Sequence, residues 1–459
     1  MGEKMKKKML TMITIAMVML FAFTVIVSAS SKKEETTEVS LTGNEEFDAW
    51  LADVRQNLGG TEIKIAIATD PSFDAMKKMM PEFEARTGLN VLWDEMEETA
   101  LMNKLLLEVA AGGTDYDATL SYTEWVPMFE NAGMLVPLED WLTDKDKTPA
   151  WYDAEDLLPA YVNAVSMKGH VYGIPYKGET IFIMYRKDIF EKYDLEVPTT
   201  FDELLANAEF IDENVPNMAG ITMRTRLGWE ATYMWSPFIF PFGGKMIDKV
   251  TNKPAFDQRG TIDSLKYFVE LCSFGPPGIE NFSWPESSEA FLQGKAGIMV
   301  ETSVFAPLCE NAEMGVVAGK TGYAKMPKGP AGAFSGVWAG GLCVFKDSDN
   351  KDAIWATILY FTGKPMYDEY IELGGTPFRI SGLMNPQKQK EFPFYNKILD
   401  TLKQAADLNE LGYEVVLMDE RWSPLSEMMG TEISRAVSGE ITAEEACANM
   451  QARALEIWK

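Results

Sequence analysis

The chain has 459 residues, with 69 Asp and Glu against 42 Lys and Arg and a formal charge of −27. A surface this negative repels nucleic acid and anionic membranes, and no basic stripe offsets it. The single histidine, His170, argues against histidine triads and multi-histidine metal sites, while the length is enough for two or more packed domains.

Lys4 and Lys6 to Lys8 precede an apolar run from Met9 to Val27, and Val27-Ser28-Ala29 supplies small residues for cleavage. Residues 1–30 therefore read as an export signal, with a retained membrane anchor as the alternative. No Cys follows the apolar run, so a lipid-anchored cysteine is not expected. Residues 31–61 read as a polar leader and a short amphipathic helix, with Phe47, Trp50, Leu51 and Val54 at helical spacing and Gly59-Gly60 as the stop.

The body opens with a strand over Glu62 to Ala68, a helix over Met76 to Thr87 and a strand over Gly88 to Trp93. A helix over Thr99 to Ala111 and a strand over Tyr116 to Leu120 follow. Strands alternating with helices predict an α/β fold with a mixed, mostly parallel sheet. Ligands of such sheets bind beyond the carboxyl ends of the strands, where Asp70 and Glu124-Trp125 stand. Further on, Thr200 and Glu203 have capping-box spacing, Ser288 to Leu292 reads as helix and Ala296 to Val300 as strand. Trp338 to Phe345 is another strand and Asn350 to Phe361 a helix. Helices over Met428 to Ser438 and Thr442 to Trp458 close the chain, the last with Thr442 and Glu445 as a capping box.

Cys272, Cys309, Cys343 and Cys447 contain no CxxC pair, which argues against zinc. Export allows disulfides in three connectivities, one including Cys272–Cys309, whereas Cys343 reads as a buried core thiol. No GxxxxGK[ST] or GxGxxG pattern occurs, so no nucleotide cofactor is expected. A glycosidase pair of carboxylates stays open among so many acids. What recurs is aromatic residues beside carboxylates: Glu124-Trp125, Trp229-Glu230 with Tyr233, Trp338, and Glu420-Arg421-Trp422. Sugar recognition needs aromatic faces for C–H patches and planar polar groups for hydroxyls; the alternative is that these rings are core.

The segment Tyr172 to Asp188 reads as a buried strand, a carboxylate at a bend, a second apolar strand and a helix start. Around it, in order, lie Phe83 to Val91, Tyr116 to Trp125, Ala132 to Leu138, Pro198 to Glu203, Phe291 to Met299 and Gly374 to Arg379. Together they resemble the extracellular solute-binding proteins of ABC transporters, in the sugar- and polyol-binding, maltose-binding-protein-like branch. The resemblance covers Glu62 to Lys459. It implies a type II periplasmic binding protein fold: two lobes, 62–174 with 339–376 and 175–338 with 377–459, joined by crossings near 174–180, 333–339 and 376–384.

By the same resemblance, Glu179 and Glu124 fall on cleft acids, and Tyr233 and Trp422 on stacking aromatics. Trp338 and Arg379 fall on the second and third crossings, and Asp70 on a first-loop polar position. Trp125, Glu230 and Glu301 complete the candidate ligand-binding set. Ser121 replaces a stacking Trp of the maltose branch, which favours a smaller ligand, and Gly178-Glu-Thr with Met184-Tyr-Arg leans toward polyols and monosaccharides. The implied protein is a non-enzymatic, monomeric receptor that hands a sugar or polyol to a membrane permease driven by an ATPase. A polyamine ligand is the alternative, which Arg379 in the cleft would oppose; a secreted carbohydrate-active enzyme and a sensory receptor are two others.

Overall fold

The computed structural model describes residues 43–459; the expected export signal and the polar leader up to residue 42 lie outside them. The leader helix forms over Glu45–Leu58, where the Asn44 side chain accepts from the Phe47 amide and Phe47, Leu51 and Val54 are buried. Phe47 packs edge-on to Trp151 at 4.8 Å and against Tyr360 at 5.9 Å, which ties this helix to the body.

Eight described strands form one mixed sheet. Its order is Asn90–Met96, Glu62–Ala68, Ala118–Tyr122, Val337–Val344, Ile174–Arg186, Ala296–Thr302, Ala219–Thr222, with Thr321–Ala324 also on Ile174–Arg186. The flanking pairs are parallel, and the pairings around Val337–Val344 and Ile174–Arg186 are antiparallel. The α/β architecture is the one expected from alternating strands and helices.

The first part of Ile174–Arg186 pairs with Val337–Val344, and the second part with Ala296–Thr302 and Thr321–Ala324. One strand thus runs through both halves of the sheet. It is not the strand, bend and strand that the sequence suggests, because no break occurs at Glu179. The irregularity falls where Gly340 faces Lys177 and Gly341 faces Pro175; an extra residue bends a strand without ending it. Gly178 is needed next to it, since a Cβ there would stand 2.4 Å from the ring of Tyr161. Ile181, Phe182, Ile183 and Met184 have no exposed surface, and burial of each such side chain is worth about 1.5–3 kcal/mol.

Both expected capping boxes form, at Thr200 with Glu203 and at Thr442 with Glu445. Three helices begin earlier than periodicity indicates, one of them Trp284–Leu292, expected only from Ser288. Pro71–Thr87 starts at Pro71, with the Asp70 side chain accepting from the Ser72 amide at 2.8 Å and Gly88 closing the helix at φ 70°. Trp422–Val437 starts after Arg421, which makes no side-chain cap, so no capping residue announces it. The four cysteines are free and buried, and Cys272 and Cys309 do not pair. Cys309 instead lies 3.8 Å from the Met184 sulfur.

Candidate functional site

A cavity of about 120 Å³ lies beyond the carboxyl end of Ala118–Tyr122. Three helices supply side chains one turn apart, the spacing that puts residues i and i+4 on one face. Glu98 and Met102 come from Glu98–Ala110, Trp229 and Tyr233 from Trp229–Ile239, and Trp422, Ser423, Ser426 and Glu427 from Trp422–Val437. The turn after Ala118–Tyr122 adds Glu124, Trp125 and Met128. Strand Val337–Val344 adds Trp338, and Val416 completes the wall.

The rings are held by contacts behind the cavity. Trp338 packs on Tyr122 at 4.5 Å and Tyr122 on Trp125 at 4.8 Å. The indole N–H of Trp338 donates to Glu124 Oε2 at 2.6 Å, which fixes the ring and the carboxylate relative to each other. Trp229 meets Tyr233 at 6.1 Å. The Tyr233 hydroxyl donates to Glu179 Oε1 at 3.3 Å, and Glu179 lies opposite Trp338 in the sheet register.

The electrostatics divide into two groups. In the first, Asp70 is buried, which by itself would raise its pKa; the Lys177 ammonium, the Ser72 amide and the Tyr122 hydroxyl together hold it below the usual value. Lys177 pairs with Asp70 and sits 4.6 Å from the Trp338 ring centre and 4.9 Å from that of Tyr122. In the second group, burial and then the charge of Glu98 push Glu124 up to about 8. Burial is also the main cause that raises Glu98 to about 7; Lys177 opposes it and Asp70 reinforces it. Burial raises Glu179 as well, against the pull of Arg224 and Lys177. Carboxyls held near neutrality in a cavity are a recognised mark of functional sites.

Of the ten residues singled out from the sequence, Glu124, Trp125, Tyr233, Trp338 and Trp422 line this cavity. Glu179 and Asp70 stand one layer behind, touching Tyr233 and Lys177. Glu230 is buried and ion-paired with Arg226 at 3.3 Å. Glu301 is fully buried and gripped by Arg224 through two bonds of 2.8 and 2.6 Å.

Arg379 does not line the cavity either. Its guanidinium is fully buried and donates to the carbonyls of Thr362, Tyr152 and Asp153, with Asp156 at 3.4 Å. The objection to a cationic ligand that rested on Arg379 therefore lapses. Sequence reasoning missed Glu98, Met102, Lys177, Ser423, Ser426 and Glu427. The i, i+4 face shared with Trp422 would have pointed to Ser426, but no local signal marks Glu98 or Lys177.

A profile of the bacterial extracellular solute-binding protein family matches residues 68–366. The mannitol-binding protein of Pseudomonas aeruginosa is 26% identical over 416 residues, 86% of this chain and 92% of that protein. Among solved structures, an ABC transporter solute-binding protein of Agrobacterium vitis with bound D-mannitol superposes with a TM-score of 0.75 at 27% identity. That match covers 86% of this chain and 98% of the other. A solute-binding protein of Agrobacterium radiobacter in complex with ribitol gives a TM-score of 0.78 at 24% identity over 87% and 99%. The common architecture is that of type II periplasmic binding proteins. A family match over most of the body, with the same fold throughout, makes this chain a member of the bacterial extracellular solute-binding protein family.

Proposed function

We propose that the chain is the exported receptor of an ABC importer and captures a sugar or polyol in the cavity between Trp338 and Trp422. The observation that carries this reading is the convergence of aromatic faces and carboxylates from separate elements on one small cavity. Trp125, Tyr233, Trp338 and Trp422 would cover the C–H faces of the ligand, and Glu124 and Glu98 would bond its hydroxyls. Glu179 would act through Tyr233. The small cavity supports a short ligand, and the mannitol ligands of two relatives point the same way.

In this reading the segments 62–174 with 339–376 and 175–338 with 377–459 act as lobes about the long strand. A ligand touching both shifts an open–closed equilibrium by its greater affinity for the closed form. The closed monomer docks on a permease driven by an ATPase, after removal of residues 1–30, without a lipid anchor and without catalysis.

A thermal-melt panel of ribitol, D-mannitol, D-glucose, maltose and spermidine tests the reading. A ligand at one hundred times its dissociation constant adds about 2.7 kcal/mol of stability. A shift with at least one intact sugar or polyol is expected; shifts with spermidine alone, or degradation of the sugar, would refute the proposal.

A further inference from the structure

Resting on the reading of the cavity as a polyol or sugar site, we infer that its preferred ligand also carries a protonated amine: an amino-alditol or an amino sugar. Three carboxylates, Glu98, Glu124 and Glu427, line the cavity, and no Lys, Arg or His is among its lining residues. The nearby cation, Lys177, pairs with Asp70, and its pull on Glu98 and Glu124 does not bring either carboxyl back to its usual range. Burial raises both carboxyls, Glu124 further through the charge of Glu98 and Glu98 through that of Asp70, the condition that an added positive charge relieves.

The rings fit the same chemistry. An ammonium within about 6 Å of an indole or phenol face is attracted by its quadrupole, more strongly when water is excluded. The molecule already makes this pairing from behind, where Lys177 sits 4.6 Å from the Trp338 ring. On the cavity side, Trp338 brings its N–H to Glu124 at 2.6 Å, so a ring and a carboxylate are presented together. A neutral polyol bonds to these carboxylates but cannot compensate their charge. An amine on the same carbon skeleton does both.

Calorimetric titration of the purified protein near neutral pH with matched pairs decides the matter: D-glucitol against D-glucamine for open chains, D-glucose against D-glucosamine for rings, with spermidine as an amine lacking hydroxyls. In at least one pair the amine binds about tenfold tighter or more, and the pair that shows it distinguishes alditol from ring. Glu124→Gln and Glu98→Gln each shrink that ratio and affect the neutral partner less. Neutral members that bind as tightly as their amines overturn the inference and leave the sugar or polyol reading intact. Tighter binding of spermidine than of every hydroxylated amine overturns it as well. A panel in which no sugar, polyol or amine binds defeats both.

Discussion

Glu124→Gln provides the sharpest test of the cavity's electrostatics. The native carboxyl is raised from 4.5 to about 8, by burial first and Glu98 second, while in the unfolded chain it titrates near its ordinary value. Between those values the native state holds a proton that the unfolded state has lost, so stability falls as pH rises through the interval. Each pKa unit corresponds to about 1.4 kcal/mol, which sets a ceiling of about 5 kcal/mol. Glu98 shares the effect and Glu124 is only half-buried, so about 1–3 kcal/mol is the expected share after solvent screening. Glutamine is neutral at every pH and still accepts from Trp338. Urea unfolding should therefore find variant and wild type similar at about pH 4.5, and the variant more stable by that amount at about pH 8.5. Wild-type and variant curves that stay parallel across the interval would refute the reasoning, as would a wild type that gains on the variant.

Two further perturbations test the frame. Arg224→Met leaves Glu301 fully buried and unpaired, which should cost about 3–5 kcal/mol in urea unfolding; adding Glu301→Leu should recover part of it, and no recovery would mean the pair is not the cause. Gly178→Ala pushes a methyl group against the buried ring of Tyr161 and should lose about 1–3 kcal/mol, whereas an unchanged midpoint would show that the long strand tolerates displacement.

The strands were legible because Glu62–Ala68 and Ala296–Thr302 announce themselves by apolar runs, and the capping boxes because both partners lie within one turn. Trp338 and Trp422 were legible as rings beside carboxylates. Arg379 was not. Thr362 ends Lys351–Thr362 and Tyr152 ends Ala150–Tyr152, and Arg379 supplies donors to both terminal carbonyls. A helix end must find such partners, but which distant side chain provides them depends on tertiary packing. Glu301 was hidden the same way, since its partner Arg224 lies 77 positions away in sequence. Lys177 carries no local mark either, because only the fold brings it to Asp70 and the Trp338 ring.

The central claim is that Trp338 and Trp422 form the walls of a site for a hydroxylated solute. Calorimetric titration of wild type, Trp338→Ala and Trp422→Ala with the sugar, polyol or amine that shifts melting most tests it directly. The account predicts one-to-one binding by the wild type and a loss of about tenfold or more, near 1.4 kcal/mol, in each variant. Unaltered affinity in both folded variants would place the ligand elsewhere and contradict the account.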